Sequence, residues 1–194
     1  MLLKVVTLFG LLTVPLSAHA VTATFEEFGN DEEVVSGNTF VSVGLTFEVF
    51  TPADANDTSS VKFFDNNFYP LTTGTYAALD NWDGVTLQLT APVTNISFDY
   101  VSGFPDLDLI INGVAYDAAD EIDFVASGVA VNFTPDGGSA FNAPSFVELT
   151  GPIASFGLSG TELAFDNFTV VPEPASLALV IGSGLPLLAR RRVG

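Results

Sequence analysis

Oxygen is almost the only element this chain can offer to chemistry. Between Val21 and Val170 it holds 22 acidic side chains against one base, Lys62, a formal net charge of −21, with no histidine, cysteine or arginine. A Ser-His-Asp or Cys-His nucleophilic centre cannot be built from that set. Zinc sites with His or Cys ligands are excluded in the same way, as is an arginine clamp on phosphate. Carboxylate chemistry, oxygen-ligand metal binding, or no catalysis remain. Asp54-Ala55-Asn56-Asp57-Thr58 is oxygen-rich but lacks the Gly and terminal Glu of an EF-hand loop, so it reads as a turn held by Asx hydrogen bonds. Asp117, Asp120, Glu121 and Asp123 read as a solvated acidic turn. Two carboxylates can run glycoside hydrolysis, yet no acid here is singled out for the raised pKa that reaction needs. Trp82, the single tryptophan, sits among Asp80, Asn81 and Asp83 with Tyr76 nearby. Trp82 and Tyr76 are the candidate sugar-stacking residues, and a Trp plugging one end of the core is the plainer reading.

Strands must position these groups. Thr22–Glu26, Leu45–Phe50, Val85–Thr90, Ile96–Tyr100 and Leu107–Ile110 alternate apolar and polar residues with the period of two that marks half-buried strands. Further runs are Ile122–Ala126, Val129–Thr134, Phe146–Thr150, Ile153–Leu158 and Leu163–Val171, with Val61–Phe64 a shorter one. Asn112-Gly113 between two apolar runs is a strong signal for a tight hairpin turn. No amphipathic run of helical period exceeds two turns. About ten short strands separated by turn residues predict an all-β fold, an antiparallel β-sandwich that is jelly-roll-like. Residues 51–82 predict long loops around one or two edge strands. Phe and β-branched residues are frequent enough to favour a folded domain despite the acidity. The charge disfavours nucleic acid and anionic membrane surfaces as partners.

The two ends read differently from the middle. Lys4, the apolar run Val5–Val14, the break at Pro15 and the small residues Ala18 and Ala20 form a signal peptide over residues 1–20, with cleavage expected after Ala20. Residues 21–170 are then the β-sandwich domain. Residues 171–194 form a tail in three parts: Val171-Pro172-Glu173-Pro174, an apolar run from Ala175 to Ala189, and Arg190-Arg191-Arg192. As a helix the apolar run is about 22 Å long, short for a membrane span. The arginines after it are the only ones in the chain and fit a cytoplasmic C-terminus.

That three-part tail resembles the PEP-CTERM sorting signal of Gram-negative bacteria. The resemblance covers Val171 to Arg192. It implies export, transient retention in the inner membrane by a transmembrane-like C-terminal helix, and cleavage near Pro-Glu-Pro by an exosortase, an integral membrane cysteine protease. Release to the cell surface or into extracellular polysaccharide would follow. Pro186 departs from a smooth helix and bears on the anchor's stability, not on the sorting signal.

A second, shorter resemblance concerns the domain's first and last strands. Phe25-Glu26-Glu27-Phe28 and Phe165-Asp166-Asn167-Phe168 look similar to paired end strands in MAM-like and calcium-binding carbohydrate-binding sandwiches, which share a structural calcium. It implies Glu26 and Asp166 as calcium ligands, with a further acid such as Asp31 to complete the oxygen set.

The function expected from the sequence is that of an exported, non-enzymatic surface or matrix protein with a structural or adhesive role, with calcium as the one conceivable cofactor. Alternatives are a carbohydrate-binding module for extracellular polysaccharide and a glycan-active enzyme using carboxylates alone.

Overall fold

The computed structural model describes residues 19–52, 60–65, 74–79, 83–104, 107–135 and 143–173. These fall in one compact unit, His19–Glu173. The expected apolar tail, Arg190 to Arg192, Pro174, Ala18, Trp82 and the Asp54–Asp57 turn lie outside the described residues. Among the described residues no helix is long and apolar enough to cross a membrane.

The described structure is all strand and turn. In chain order the strands are β1 (Val21–Ala23), β2 (Glu33–Val35), β3 (Thr39–Ser42), β4 (Leu45–Phe50), β5 (Ser60–Phe64), β6 (Tyr76–Leu79), β7 (Asp83–Leu87), β8 (Val93–Ser102), β9 (Asp108–Ile111), β10 (Val114–Asp117), β11 (Phe124–Ala126), β12 (Val129–Thr134), β13 (Ser145–Ile153), β14 (Phe156–Gly160) and β15 (Leu163–Pro172). They form two sheets. The larger runs β11-β12-β13-β8-β15-β6-β5-β2, with β1 added to β15. The smaller runs β10-β9-β14-β7-β4-β3. Every neighbouring pair in both is antiparallel. This is the expected antiparallel sandwich.

Alternation decides which residues meet between the sheets. Ile96, Phe98 and Tyr100 of β8, Val147 and Leu149 of β13, and Phe165, Phe168 and Val170 of β15 are buried from the larger sheet. Phe47, Val49, Val85, Leu87, Leu109, Ile111, Phe156 and Leu158 are buried from the smaller one. Phe168 joins the two layers. Its ring stacks on Phe98 at 5.1 Å and meets Phe47 edge-on at 5.3 Å and Phe156 at 5.8 Å. Burying one such ring contributes roughly 2–3 kcal/mol by area, and the ring pairs add to that.

Several elements differ from expectation, each for a local reason. The strand expected over Thr22–Glu26 stops at Ala23, because Phe25 takes a left-handed φ of 57° and turns its ring into the cluster of Phe40, Phe47, Phe63 and Phe165. The run Ile153–Leu158 is two strands, since the chain turns at Ala154-Ser155 between β13 and β14. Strands β5 and β6 lie inside the larger sheet rather than at an edge, with β2 outside them. The last strand continues to Pro172, two residues past the expected end of the domain at residue 170.

Candidate functional site

The segment expected to be a sorting motif begins inside the fold. In β15, Val171 pairs with Asn95 and Pro172 with Val93 of β8, with a register shift between them. Thr94 Oγ1 donates to the Val171 carbonyl at 3.3 Å. Pro is compatible with a strand end, where its missing N–H is not called on by the ladder. Glu173 follows and is exposed. On the other side of β15, β1 pairs Val21 with Val170. Ala20, the expected last residue of the leader, is exposed just before that pairing. Both ends of the domain therefore leave from neighbouring strands at one end of the larger sheet.

The first and last strands are neighbours, as the calcium reading needs, but the three acids do not converge. Glu26 lies in the turn after β1, where its Oε1 accepts the Thr75 N–H at 3.2 Å. Asp31 is exposed in the next turn and accepts from Asn30 Nδ2 at 3.1 Å. Asp166 is buried in β15 and accepts the Asn167 N–H at 2.7 Å. Among the described residues no group of three or more acids is placed to hold a metal ion. The residues present therefore do not fit the calcium site that the resemblance implies.

The aromatic candidates fare differently. Tyr76 is fully buried and packs with Ala78, Val101 and Ala164 in a small second cluster, its ring 6.0 Å from Phe64. A buried ring cannot stack on a sugar, so Tyr76 is not a glycan contact. Trp82 lies outside the described residues.

The outer face of the larger sheet carries a polar network that the sequence did not single out. Asp99 of β8 and Asp166 of β15 are directly opposite. Like charges in that position repel. The ladder is irregular between Asp166 and Thr169, where Asn167 adopts φ 51°. This β-bulge lets Asn167 serve both acids. Its N–H goes to Asp166 and its Nδ2 donates to Asp99 Oδ2 at 2.7 Å. Nearby, Asn95 Nδ2 donates to Glu148 Oε1 at 2.8 Å, and the Thr22 and Thr169 hydroxyls pair at 2.8 Å. Phe146 is opposite Asp99 in β13 and is part-exposed. The signal for it was available: Phe146 has the parity of Glu148 and Thr150, so it is an apolar residue on the polar side of its strand.

The acidic run Asp117–Asp123 connects β10 of one sheet to β11 of the other. A hollow of about 280 Å³ is lined by Asp117 to Phe124. Its acids are partly used by backbone: Asp117 Oδ1 accepts the Ala119 N–H at 3.0 Å and Asp123 Oδ1 the Phe133 N–H at 2.7 Å. Behind the loop, Tyr100 Oη and Glu121 Oε2 are buried without a hydrogen bond of good geometry among the described residues. Burial pushes the Tyr100 phenol well above its ordinary pKa of 10.0, and the neighbouring Glu121 carboxylate pushes it further, while Ser145 acts the other way. The Tyr100 ring is buried within the core.

No protein-family profile matches the chain. No curated protein is significantly similar to it. Among solved structures, the K2 cleaved adhesin domain of Lys-gingipain is similar at 13% identity and a TM-score of 0.33, over 78% of this chain and 97% of that one. A likeness that slight carries no argument about either fold or function.

Proposed function

We propose that this chain is an exported, non-enzymatic surface or matrix protein, delivered by an N-terminal signal peptide and a PEP-CTERM tail that an exosortase removes. Its folded part, a jelly-roll-like sandwich, has a structural or adhesive role. The observation that carries the reading is the position of the motif. The last strand ends at Pro172 and Glu173 is exposed after it, so the motif's first two residues are the end of β15 and its acid lies just beyond. A protease acting after Glu173 would leave every strand of the described residues in place. The composition agrees, since Val21 to Val170 lacks His, Cys and Arg and so most catalytic centres.

Mass spectrometry of the protein recovered from the cell surface or medium tests it. The expected product starts at Val21 and lacks Ala175 to Gly194. Recovery of an intact C-terminus from outside the cell refutes the sorting mechanism.

A second reading, binding of extracellular polysaccharide, is favoured by one observation. Phe146 lies part-exposed beside Asp99 on a face rich in amides, hydroxyls and carboxylates. Such a face offers a ring surface and hydrogen-bonding groups to a sugar. Phe146→Ala should abolish retention on a polysaccharide column without changing thermal stability. Unchanged retention removes this reading.

A further inference from the structure

The two lateral flanks of the sandwich are complementary in strand direction. The smaller sheet has six strands, all antiparallel, so its edge strands β3 and β10 run in opposite directions. The larger sheet has eight strands along its path, so β11 and β2 are opposed in the same way. Strands β10 and β11 share one flank. Tyr116 and Phe124 bring them together with ring centres 5.9 Å apart, and Tyr116 Oη meets Ser127 Oγ at 2.8 Å. Strands β2 and β3 end the two sheets on the opposite flank and are joined by a short turn. A second copy set beside the first in the same sense therefore presents, to each edge strand, a partner of opposite direction.

The edge strands are only three or four residues long, and β2 and β10 carry one acid each, Glu33 and Asp117, but none carries a lysine. Natural edge strands are commonly blunted by charge, above all by Lys. Lys62, the one base in the domain, lies in interior strand β5. Strands β3 and β11 have no charged residue. Of the eight exposed large apolar side chains among the described residues, Val35, Val41, Val114 and Val125 lie on the four edge strands. Val125 is 74% exposed and Val41 52%. Among the described residues no strand pairs with the outer side of β2, β3, β10 or β11, so these apolar side chains flank sheet edges.

We propose that copies of this chain add edge to edge, β10 of one against β3 of the next, continuing the six-stranded sheet from copy to copy. The interface is heterologous, since each copy uses a different flank on each side. The step from copy to copy is a translation combined with the sheet's own twist about that direction, which does not close, so the product is an open string rather than a dimer. The formal charge of −21 on each domain opposes contact at low salt. Association should therefore rise with ionic strength as the Debye length shrinks from about 10 Å at 0.1 M to about 3 Å at 1 M. This inference is independent of how the tail is processed.

One row of directly opposed residues crosses the whole smaller sheet: Thr39, Glu48, Thr86, Gly157, Ile110, Ala115. Thr39 and Ala115 are both exposed at its two ends. In the string, Ala115 of one copy faces Thr39 of the next, or Val41 if the seam slips by two residues. Opposed side chains in adjacent strands are within disulfide reach. The chain has no cysteine of its own, so cross-links report only introduced thiols.

The experiment is mild oxidation of the full chain in high salt, carrying Thr39→Cys with Ala115→Cys, or Val41→Cys with Ala115→Cys. A ladder of dimers, trimers and higher species, dissolved by reductant, is expected from at least one pair. Each single-cysteine variant should stay uncross-linked, because β3 does not meet β3 and β10 does not meet β10. All three positions are exposed, so the variants should fold. No ladder from either pair overturns the proposal, and so do dimers formed equally well by the single-cysteine variants.

Discussion

Replacing Asn112 tests how edge strand β10 is held. Asn112 and Gly113 both have positive φ, 53° and 78°, which gives the tight primed turn between β9 and β10. The Asn112 side chain also reaches the turn between β13 and β14. Its Oδ1 accepts the N–H groups of Ala154 at 2.7 Å and Ser155 at 3.3 Å, and its Nδ2 donates to the Pro152 carbonyl at 3.0 Å. Two of these three bonds are exposed, so each is worth about 0.5–1 kcal/mol, the lower part of the usual range. Asn112→Gly keeps the left-handed backbone but loses all three bonds and adds some freedom to the unfolded chain, a cost of about 2–3 kcal/mol. Asn112→Ala loses the same bonds and keeps a Cβ in the left-handed region without the local polar side chain that lets Asn tolerate it, about 1 kcal/mol more. Denaturant unfolding with both variants should show midpoints falling in the order wild type, Gly, Ala, with unchanged slope. If Asn112→Gly lies within about 0.5 kcal/mol of wild type, the side-chain bonds do not hold the hairpin. If Ala equals Gly, backbone strain at this position has been misjudged.

Other perturbations follow from the packing and the bulge. Phe168→Ala removes the ring that joins the layers and should cost about 3–5 kcal/mol, read as a fall in the denaturant midpoint. Gly151→Ala should destabilise the domain by more than a surface change would, because a Cβ there meets the Gly128 carbonyl oxygen at 2.8 Å and Val129 Cα at 3.0 Å, at φ 145°. Asn167→Ala removes the side-chain donor to Asp99 while keeping the backbone N–H to Asp166, and thermal unfolding should show a loss of about 1–3 kcal/mol. Tyr100 stays protonated in the fold when the unfolded chain has begun to ionise near pH 10.0. The unfolded state then binds fewer protons, so this group's contribution is complete below that pH and declines as pH rises above it. Tyr100→Phe should lessen the alkaline loss, measured by comparing denaturant midpoints at neutral pH and above pH 10.

Where one strand face is buried and the other wet, the sequence was easy to read. Leu45–Phe50 and Val129–Thr134 are strands β4 and β12 with the expected bounds, and Asn112-Gly113 is the expected hairpin turn. Strand β6, Tyr-Ala-Ala-Leu, was missed because both of its faces are buried: Ala77 and Leu79 face the main core and Tyr76 and Ala78 the second cluster. Burial on both sides erases the alternation that marks a strand. Strands β2 and β3 were missed because three or four residues carry too short a pattern. At the level of sites, the pairing of the first and last strands was legible, but the separation of Glu26 and Asp31 from Asp166 was not. It depends on Phe25 turning the chain out of the strand, and nothing in the type of a Phe foretells a left-handed φ. The Asp99–Asp166 pair depends on register between distant strands, which local pattern does not encode.

The place of β15 has a mechanical meaning. Any pull on this domain through its C-terminal end enters at Pro172, the last residue of a ten-residue strand in the interior of the larger sheet. Strand β8 flanks it along most of its length, and β6 and β1 flank its two halves on the other side. A load along β15 acts in the plane of the sheet and across its hydrogen bonds, so many bonds share the force at once. A load that separates Val21 from Val170 instead opens the short β1 pairing one bond at a time. While it is held from the C-terminal side alone, the domain is gripped by a ten-residue strand flanked on both sides; gripped from both ends together, it would yield first at the three-residue β1 pairing.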